Sequence, residues 1–218
     1  MNREKLDKIS AELKPYNAAL VAVSKTKPVA EIKKVYDCGH KIFGENYVQE
    51  LAAKQSELPR DIQWHFIGHL QSKKVKQIAP FISLIHAVDG LKLLKEINEQ
   101  AKKNNRIIDC LLQIHIAKEE TKFGLAFQEA ETLIQNPELA GLKNICIKGL
   151  MGMATLTDNE NQIRKEFRSL AKIFKQLQAT SNQFQILSMG MTSDYKIALE
   201  EGSTMVRIGS AIFGERIN

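Results

Sequence analysis

The chain has 218 residues, of which 44% are hydrophobic and 26% charged, so it can bury a full core and requires no second domain. Its net charge is +6, but the lysines are scattered over predicted helix faces without interleaved aromatic residues, which favours a solvated surface over a nucleic-acid partner. Because no apolar run could cross a bilayer and the first residues lack the apolar core of a signal peptide, we expect a cytoplasmic protein without a membrane partner.

Apolar runs and helical repeats alternate along the chain. An amphipathic helix over residues 2–14 precedes an apolar strand over residues 18–25, and a helix follows from Pro28 to Gly39. Further strands are predicted over residues 40–46, 62–71, 83–89, 107–116, 145–154, 185–191 and 204–214, and further helices over residues 47–58, 73–78, 91–103, 127–135, 158–179 and 194–201.

This alternation is typical of an α/β protein with a single (β/α)8 TIM barrel, here with an extra N-terminal helix and one domain over residues 1–218. The strand-to-helix turns are the polar, glycine-rich ones, so the working face is expected at the carboxyl ends of the strands. An open doubly wound sheet is the alternative, but it would have a glycine fingerprint where this chain has Ser24-Lys25-Thr26. Since a closed barrel leaves no unpaired sheet edge, we expect a monomer.

Lys25 ends the first apolar strand, where a charged side chain is unusual. Strand alternation places it on the same side as Val21 and Val23. A buried ammonium must be paired, deprotonated or used covalently, and Schiff-base chemistry with a carbonyl is such a use. Alternatively, the side chain only reaches into solvent from the strand end, and the local sequence leaves both interpretations open.

The loops after the seventh and eighth strands begin with small and hydroxyl-bearing residues, at Ser188-Met-Gly-Met and Arg207-Ile-Gly209-Ser210. TIM barrels often bind a phosphate between these two loops, although the glycines could also serve only to shape tight turns. A phosphate cradle at Ser188, Gly209 and Ser210, together with an amine at Lys25, predicts a phosphorylated aldehyde as ligand. Pyridoxal 5′-phosphate (PLP) has both groups.

Six segments carry a family resemblance: Ala-Val-Ser-Lys25-Thr, Phe43-Gly-Glu-Asn46-Tyr-Val-Gln-Glu, Trp64-His-Phe-Ile-Gly68-His-Leu-Gln71, Gly149-Leu-Met151, Ser188-Met-Gly-Met191 and Val206-Arg-Ile-Gly-Ser210-Ala-Ile-Phe-Gly. From about residue 18 to Gly214, the chain resembles the pyridoxal phosphate homeostasis protein family of the YggS/PROSC type. The fold of that family is similar to the amino-terminal barrel of alanine racemase.

The resemblance implies a set of cofactor-binding residues, namely Lys25, Asn46, Met151, Ser188, Arg207, Gly209 and Ser210. Lys25 would carry PLP as a Schiff base, and the two serines with Gly209 would hold its phosphate. Arg207 would face the pyridine nitrogen, while Asn46 and Met151 would line the site beside the ring.

Two positions depart from the family pattern. Lys73-Lys74 stands where the family usually has Asn-Lys, and Ala154 stands where it has a proline. Both are expected at the rim of the site or behind the ring, so they concern partners or cofactor entry rather than cofactor binding. Lys122 matches a family lysine near the phosphate rim.

The resemblance also leads to a functional hypothesis. A guanidinium beside the pyridine nitrogen donates a hydrogen bond and leaves that nitrogen unprotonated, which makes the ring a poorer electron sink and disfavours carbanion chemistry. We therefore expect no catalysis, but a role in vitamin B6 homeostasis in which PLP is stored, buffered or delivered to PLP-dependent apo-enzymes.

Two enzymatic alternatives remain open. A PLP-dependent amino-acid racemase would use Lys25 as one base, but its second base is supplied in alanine racemase by a further carboxyl-terminal domain, which we do not expect in a chain that ends at Asn218. In a class I aldolase-like barrel, Lys25 would instead attack a sugar-phosphate carbonyl directly.

The other reactive side chains are expected to be structural. His65 and His69 lie on a predicted strand and its turn, where a spacing of four does not bring them to one metal ion, and we expect no metal site. The remaining histidines are expected to pack or lie at the surface, the cysteines to be reduced and buried, and the acidic pairs to be solvated. These residues are His40, His86, His115, Cys38, Cys110, Cys146, Glu119, Glu120, Glu200 and Glu201.

Overall fold

The computed structural model describes residues 2–119 and 123–214, in which eight parallel strands form a closed barrel. Each strand pairs with the next, and the last pairs with the first, with Val21 opposite Arg207. The strands are Ala19–Val23 (β1), Ile42–Glu45 (β2), Gln63–Phe66 (β3), Leu84–Val88 (β4), Ile108–Ile114 (β5), Ile145–Gly152 (β6), Ile186–Ser188 (β7) and Met205–Ile208 (β8). The predicted TIM barrel is confirmed.

Helices follow the strands and form the outer layer. They are Arg3–Leu13 (α1), Val29–Asp37 (α2), Val48–Glu57 (α3), Val75–Ile78 (α4), Leu91–Lys103 (α5), Phe127–Ile134 (α6), Glu160–Thr180 (α7), Tyr195–Glu200 (α8) and Ser210–Phe213 (α9), with 3-10 turns at Lys14–Tyr16, Ser72–Lys74 and Pro137–Gly141. Over residues 2–119 and 123–214, none of the helices combines the length and the apolarity that a membrane crossing requires.

The extra N-terminal helix is confirmed as α1. Asn2 caps it, because the Asn2 side chain accepts a hydrogen bond from the backbone N–H of Lys5 at 3.0 Å. The three apolar residues of its predicted stripe, Leu6, Ile9 and Leu13, are all buried. This helix therefore adds to the apolar core of the barrel's outer layer.

The eighth predicted strand is shorter in the structure than in the sequence interpretation. It ends at Ile208, and the chain then turns into α9, where the amides of Ile212 and Phe213 both donate to the carbonyl of Gly209 at 2.9 Å. An apolar run does not distinguish a strand from a short buried helix, which explains the difference. The helix predicted over residues 73–78 is likewise divided into a 3-10 turn and α4.

Two apolar cores lie on the two sides of the sheet. The larger one, between the strands and the helices, includes Phe167 and Phe174 of α7, as predicted. The smaller one fills the barrel interior and consists of Val21, Leu84, Ala87, Leu111, Met151 and Met205. Because alternate residues of a strand face the interior, the inward-facing positions beyond these residues lie at the mouth of the barrel.

Gly149 allows the backbones of β6 and β7 to approach closely, since a Cβ added there would lie 1.8 Å from the carbonyl oxygen of Ile186. We expect Gly149→Ala to lower the free energy of unfolding by about 1–3 kcal/mol, because the two strands must separate. Urea unfolding would measure this. Gly141→Ala is the matched control, since its added Cβ meets no heavy atom within 4 Å, and equal stability of the two variants would contradict the prediction.

Candidate functional site

A cavity of about 230 Å³ opens at the carboxyl ends of the strands. Its wall contains five of the residues that the sequence resemblance implies, contributed by the ends of β1, β2 and β8. These are Lys25, Asn46, Arg207, Gly209 and Ser210. Residues that are far apart in sequence therefore surround one space, at the face where TIM barrels carry their sites.

Lys25 follows β1 and is half-buried in the cavity wall. Val23, two residues earlier, also lines the cavity, and Val21 belongs to the barrel interior, as strand alternation requires. The side chain therefore lies on the side of the sheet that the sequence predicted.

Asn46 follows β2 and presents an unpaired acceptor. Its Oδ1 atom is buried and has no hydrogen-bond partner among the described residues. The neighbouring strand approaches closely here, because a Cβ at Gly68 would lie 2.4 Å from the carbonyl oxygen of Asn46. A buried acceptor without a donor costs stability, so this atom is poised to bind a ligand or a water molecule.

Arg207 of β8 lies in the barrel interior at the base of the cavity and is 4% exposed. Its guanidinium donates to the carbonyl and the hydroxyl of Ser188, at 2.9 and 2.6 Å, and to the carbonyl of Gly152 at 3.0 Å. A guanidinium has five N–H groups, and these contacts use part of that capacity. Burial lowers the pKa of Arg207 to about 10, and the negative charge of Asp194 opposes that shift, so the side chain stays protonated at neutral pH.

Two hydroxyl groups meet on the cavity wall, those of Ser210 and Thr192. Ser210, after β8, donates to the hydroxyl oxygen of Thr192, after β7, at 3.3 Å. Gly209 brings the backbone of this loop against β1, since a Cβ there would lie 3.0 Å from the carbonyl oxygen of Val23. Hydroxyls next to an unencumbered backbone suit the oxygens of a phosphate.

Ser188 and Met151, which the resemblance also implies, do not line this cavity. Ser188 is fully buried and its hydroxyl is engaged by Arg207, while Met151 is fully buried in the apolar interior of the barrel. The cavity is lined instead by Met153, two residues after Met151, and by Thr192. Two residues advance a strand by about 6.6 Å, so residues on the same face lie at different depths. Alternation along a strand predicts which face of the sheet a side chain occupies, but it does not predict how far that side chain lies from the mouth of the barrel.

A chain of buried polar side chains continues from Arg207 across the barrel interior. His86 of β4 lies with its Nδ1 3.1 Å from the hydroxyl oxygen of Ser188, and its Nε2 lies 3.0 Å from Nδ1 of His65 on β3. Burial lowers the pKa of His65 to about 3 and that of His86 well below its ordinary value, so both rings are neutral at physiological pH. His86 is thus buried, as expected of a packing residue, and it also contacts Ser188, whose oxygens accept from Arg207.

His69 lies apart from this chain, at the rim of the barrel. Its ring stacks on Phe123 with a centroid distance of 4.1 Å, and its Nδ1 is 3.6 Å from a carboxylate oxygen of Asp89. Among the described residues, no three His, Cys, Asp or Glu side chains are grouped so as to hold a metal ion. Lys73 is exposed in its 3-10 turn, and Lys122 lies outside the described residues, so its expected place at the phosphate rim stays a prediction.

The buried histidines predict a pH-dependent stability. Unfolded His65 takes up a proton below its ordinary pKa of 6.5, whereas folded His65 does so only near pH 3, so the unfolded state binds more protons between these values. Lowering the pH from 7 to 4.5 should therefore reduce the free energy of unfolding, by about 1.4 kcal/mol per pH unit for each histidine that is protonated only on unfolding. Urea unfolding at a series of pH values would measure this slope.

The contribution of His65 is isolated by comparing variants. His65→Gln should have a shallower slope than the unmodified chain, while His69→Gln, which changes a ring at the rim, should keep the slope. Coincident slopes for His65→Gln and the unmodified chain would contradict the prediction.

Comparison with known proteins identifies a family to which the sequence is similar. The family model described as the alanine racemase N-terminal domain matches residues 2–217. A pyridoxal phosphate homeostasis protein of Haemophilus influenzae is 41% identical over 202 residues, covering 90% of this chain and 84% of that protein. The protein of the same name from Aquifex aeolicus is 40% identical over 201 residues, covering 91% and 87%.

Solved structures extend the comparison to three dimensions. PipY of Synechococcus elongatus, in a structure with PLP bound, is 34% identical with a TM-score of 0.87, covering 97% of this chain and 99% of PipY. Alanine racemase of Bartonella henselae is only 17% identical, with a TM-score of 0.71, and this chain covers 60% of it, so that likeness shows the fold alone. By the near-complete family match and the identity to these relatives, the chain belongs to the alanine racemase N-terminal domain family and, within it, to the pyridoxal phosphate homeostasis proteins.

Proposed function

We propose that this chain binds PLP as a Schiff base on Lys25 and serves intracellular vitamin B6 homeostasis by storing, buffering or delivering the cofactor. The observation that carries this proposal is the meeting of a lysine, a buried arginine and a pair of hydroxyls in one small cavity. The PLP-bound structure of PipY and the name shared by the curated relatives support it.

The residues of the cavity fit the parts of PLP one by one. When bound, the cofactor supplies an aldehyde that condenses reversibly with a primary amine and releases one water molecule. Lys25 would provide that amine, and the guanidinium of Arg207 would donate a hydrogen bond to the pyridine nitrogen. Asn46 would lie beside the ring, where its unpaired Oδ1 would accept a hydrogen bond.

The phosphate would be held by the loops after β7 and β8. Gly209 and Ser210 are proposed for this role, and the Ser210 hydroxyl lies beside that of Thr192. Thr192 takes the place expected for Ser188, whose hydroxyl is occupied by Arg207. Met153 supplies the apolar contact expected of Met151.

We favour a role in which the protein holds PLP and does not convert amino acids. Arg207 remains protonated and donates a hydrogen bond, so the pyridine nitrogen stays unprotonated and the ring is a weak electron sink. Among the described residues, the cavity wall carries no tyrosine, histidine or carboxylate to serve as a second base beside Lys25. The further amine that a racemase, the alternative, could use there is Lys27, which donates to the carbonyl oxygen of Gly214 at 3.1 Å.

The remaining expectations belong to the same proposal. We propose that residues 1–218 act as one PLP-binding domain, as a monomer in the cytoplasm, with PLP-dependent apo-enzymes as recipients of the cofactor. The closed barrel supports the monomer, because each of the eight strands pairs on both sides and no strand edge is left open.

Borohydride reduction tests the assignment of Lys25. Purified protein incubated with PLP should become yellow, reduction should fix the cofactor covalently, and peptide mass spectrometry should find it on Lys25. Lys25→Ala should abolish the fixation because the attacking amine is lost. Lys33→Ala is the control, since Lys33 is exposed on α2 in an ion pair with Asp37. A label on Lys27 or Lys122 would show that the assignment is wrong.

The handling of the cofactor distinguishes storage and delivery from racemisation. Protein loaded with PLP and mixed with a PLP-dependent apo-enzyme should restore its activity even when a scavenger of free aldehyde is present. The same protein incubated with L-alanine should produce no sustained D-alanine, because Arg207 leaves the pyridine nitrogen unprotonated and the ring is then a weak electron sink. Chiral chromatography would measure the isomers, and continued accumulation of the D-isomer would favour the racemase instead.

A further inference from the structure

A buried lysine lies behind the turn that carries Lys25. Lys54 of α3 is 5% exposed, and its ammonium lies 2.7 Å from the carbonyl oxygen of Ser24. The same ammonium lies 2.7 Å from Oε1 of Glu45 and 2.6 Å from Oε1 of Glu50. All three ammonium protons are thus directed at oxygen atoms, two of which belong to carboxylates, and such charge-assisted bonds are the strong ones.

These carboxylates in turn hold both sequence neighbours of Lys25. The hydroxyl of Ser24 donates to Oε1 of Glu45 at 2.6 Å, and the backbone N–H of Thr26 donates to Oε1 of Glu50 at 2.6 Å. Thr26 has a φ of +62°, in the left-handed region that a β-branched residue rarely adopts. A conformation of this kind persists only where surrounding contacts hold it.

The contacts of Lys54 also reach the residue that precedes a second cavity residue, Asn46. Ser24 and Glu45 contact Lys54 on the helix side of the sheet, whereas the residues that follow each of them, Lys25 and Asn46, line the cavity. One ammonium therefore fixes the residues that precede both cavity side chains. Nothing in the proposed PLP contacts uses Lys54 itself.

We propose that Lys54, with Glu45 and Glu50, is a positioning group that holds the Ser24–Thr26 turn so that the amine of Lys25 faces the bound aldehyde. This inference rests on the proposed function. In that step the nitrogen of Lys25 forms a C=N bond with the aldehyde carbon of PLP and one water molecule leaves. The rate of such a reaction depends steeply on how the two reacting groups are oriented, so a loosened turn slows it.

The variants must separate positioning from folding. Removing the ammonium alone would leave the carboxylate of Glu45, whose side chain is 0% exposed, buried without its partner. We therefore choose Lys54→Met together with Glu45→Gln, which removes both charges. Lys33→Met is the matched control, because it removes an exposed helical lysine that pairs with Asp37.

The first readout is the rate at which PLP added to cofactor-free protein forms the absorbing Schiff base. We expect the double variant to react about tenfold more slowly than the unmodified chain and Lys33→Met to be unchanged. The second readout needs no cofactor. Hydrogen exchange of the Thr26 amide in cofactor-free protein should be faster in the double variant, since Lys54 no longer holds the acceptor Glu50.

A second pair of variants keeps the test decisive if the double variant does not fold. Glu50 is partly exposed, with 23% of its side chain accessible, and Glu50→Ala removes the acceptor of the Thr26 amide. We expect Glu50→Ala to speed exchange of that amide and slow the reaction with PLP. Glu50→Gln retains an acceptor oxygen, so the exchange rate of the Thr26 amide and the rate of reaction with PLP should both return to those of the unmodified chain.

The outcomes distinguish the two proposals. If the unmodified chain reacts with PLP at Lys25 while Glu50→Ala and every folded Lys54 variant react at the same rate, the positioning role is overturned and the proposed function stands. If the variants lose only stability against urea, Lys54 is structural and the positioning role is likewise overturned. If the unmodified chain itself forms no linkage at Lys25, the proposed function fails and this inference fails with it.

Discussion

The pairing of β8 with β1 is the constraint on which the site depends. In this register Val21 lies opposite Arg207 and Ala22 lies opposite Ile208, so the ends of the first and last strands emerge side by side. Parallel strands end at the same face of a sheet, and closure brings Lys25 next to Gly209 and Ser210 although they are far apart in sequence. An open sheet of the same strands would leave the amine and the hydroxyls on opposite edges.

Closure also creates an interior in which a cation must be stabilised by local acceptors. Arg207 has lost nearly all contact with solvent, and the oxygens of Ser188 and Gly152 replace part of its hydration. The next members of the chain, His86 and His65, are held neutral by burial, so no second positive charge lies against the guanidinium. Among the side chains of this buried chain, Arg207 is therefore the charged one.

The fold was predictable because its signals are local and repeated. Apolar runs that alternate with helical stripes identified the strands, and alternation along β1 placed Lys25 on the cavity side. The distance of each inward-facing side chain from the mouth of the barrel was not predictable, because the sequence does not reveal how far each strand is staggered against its neighbours. Ser188 and Met151 consequently proved to lie below the cavity, and the contact between His65 and His86 could not be expected from two strands considered separately.

The buried ion pair was missed for a related reason. Glu50 and Lys54 are four residues apart on a helix, a spacing that usually indicates a solvated surface pair. Only the packing of α3 against β2 shows that Lys54 reaches Glu45 and is buried with it. The sequence contains the charges, but their burial is a property of the tertiary arrangement.

Each side of the sheet keeps a buried acceptor that no donor reaches among the described residues. On the helix side, the ammonium of Lys54 has acceptors for all its protons, but Oε2 of Glu45 is buried without a partner. On the cavity side, the same is true of Oδ1 of Asn46. Unsatisfied buried groups cost folding energy that a complementary ligand restores, so binding and stability are coupled. A ligand that donates a hydrogen bond to the buried Oδ1 of Asn46 would therefore stabilise the folded chain as it binds.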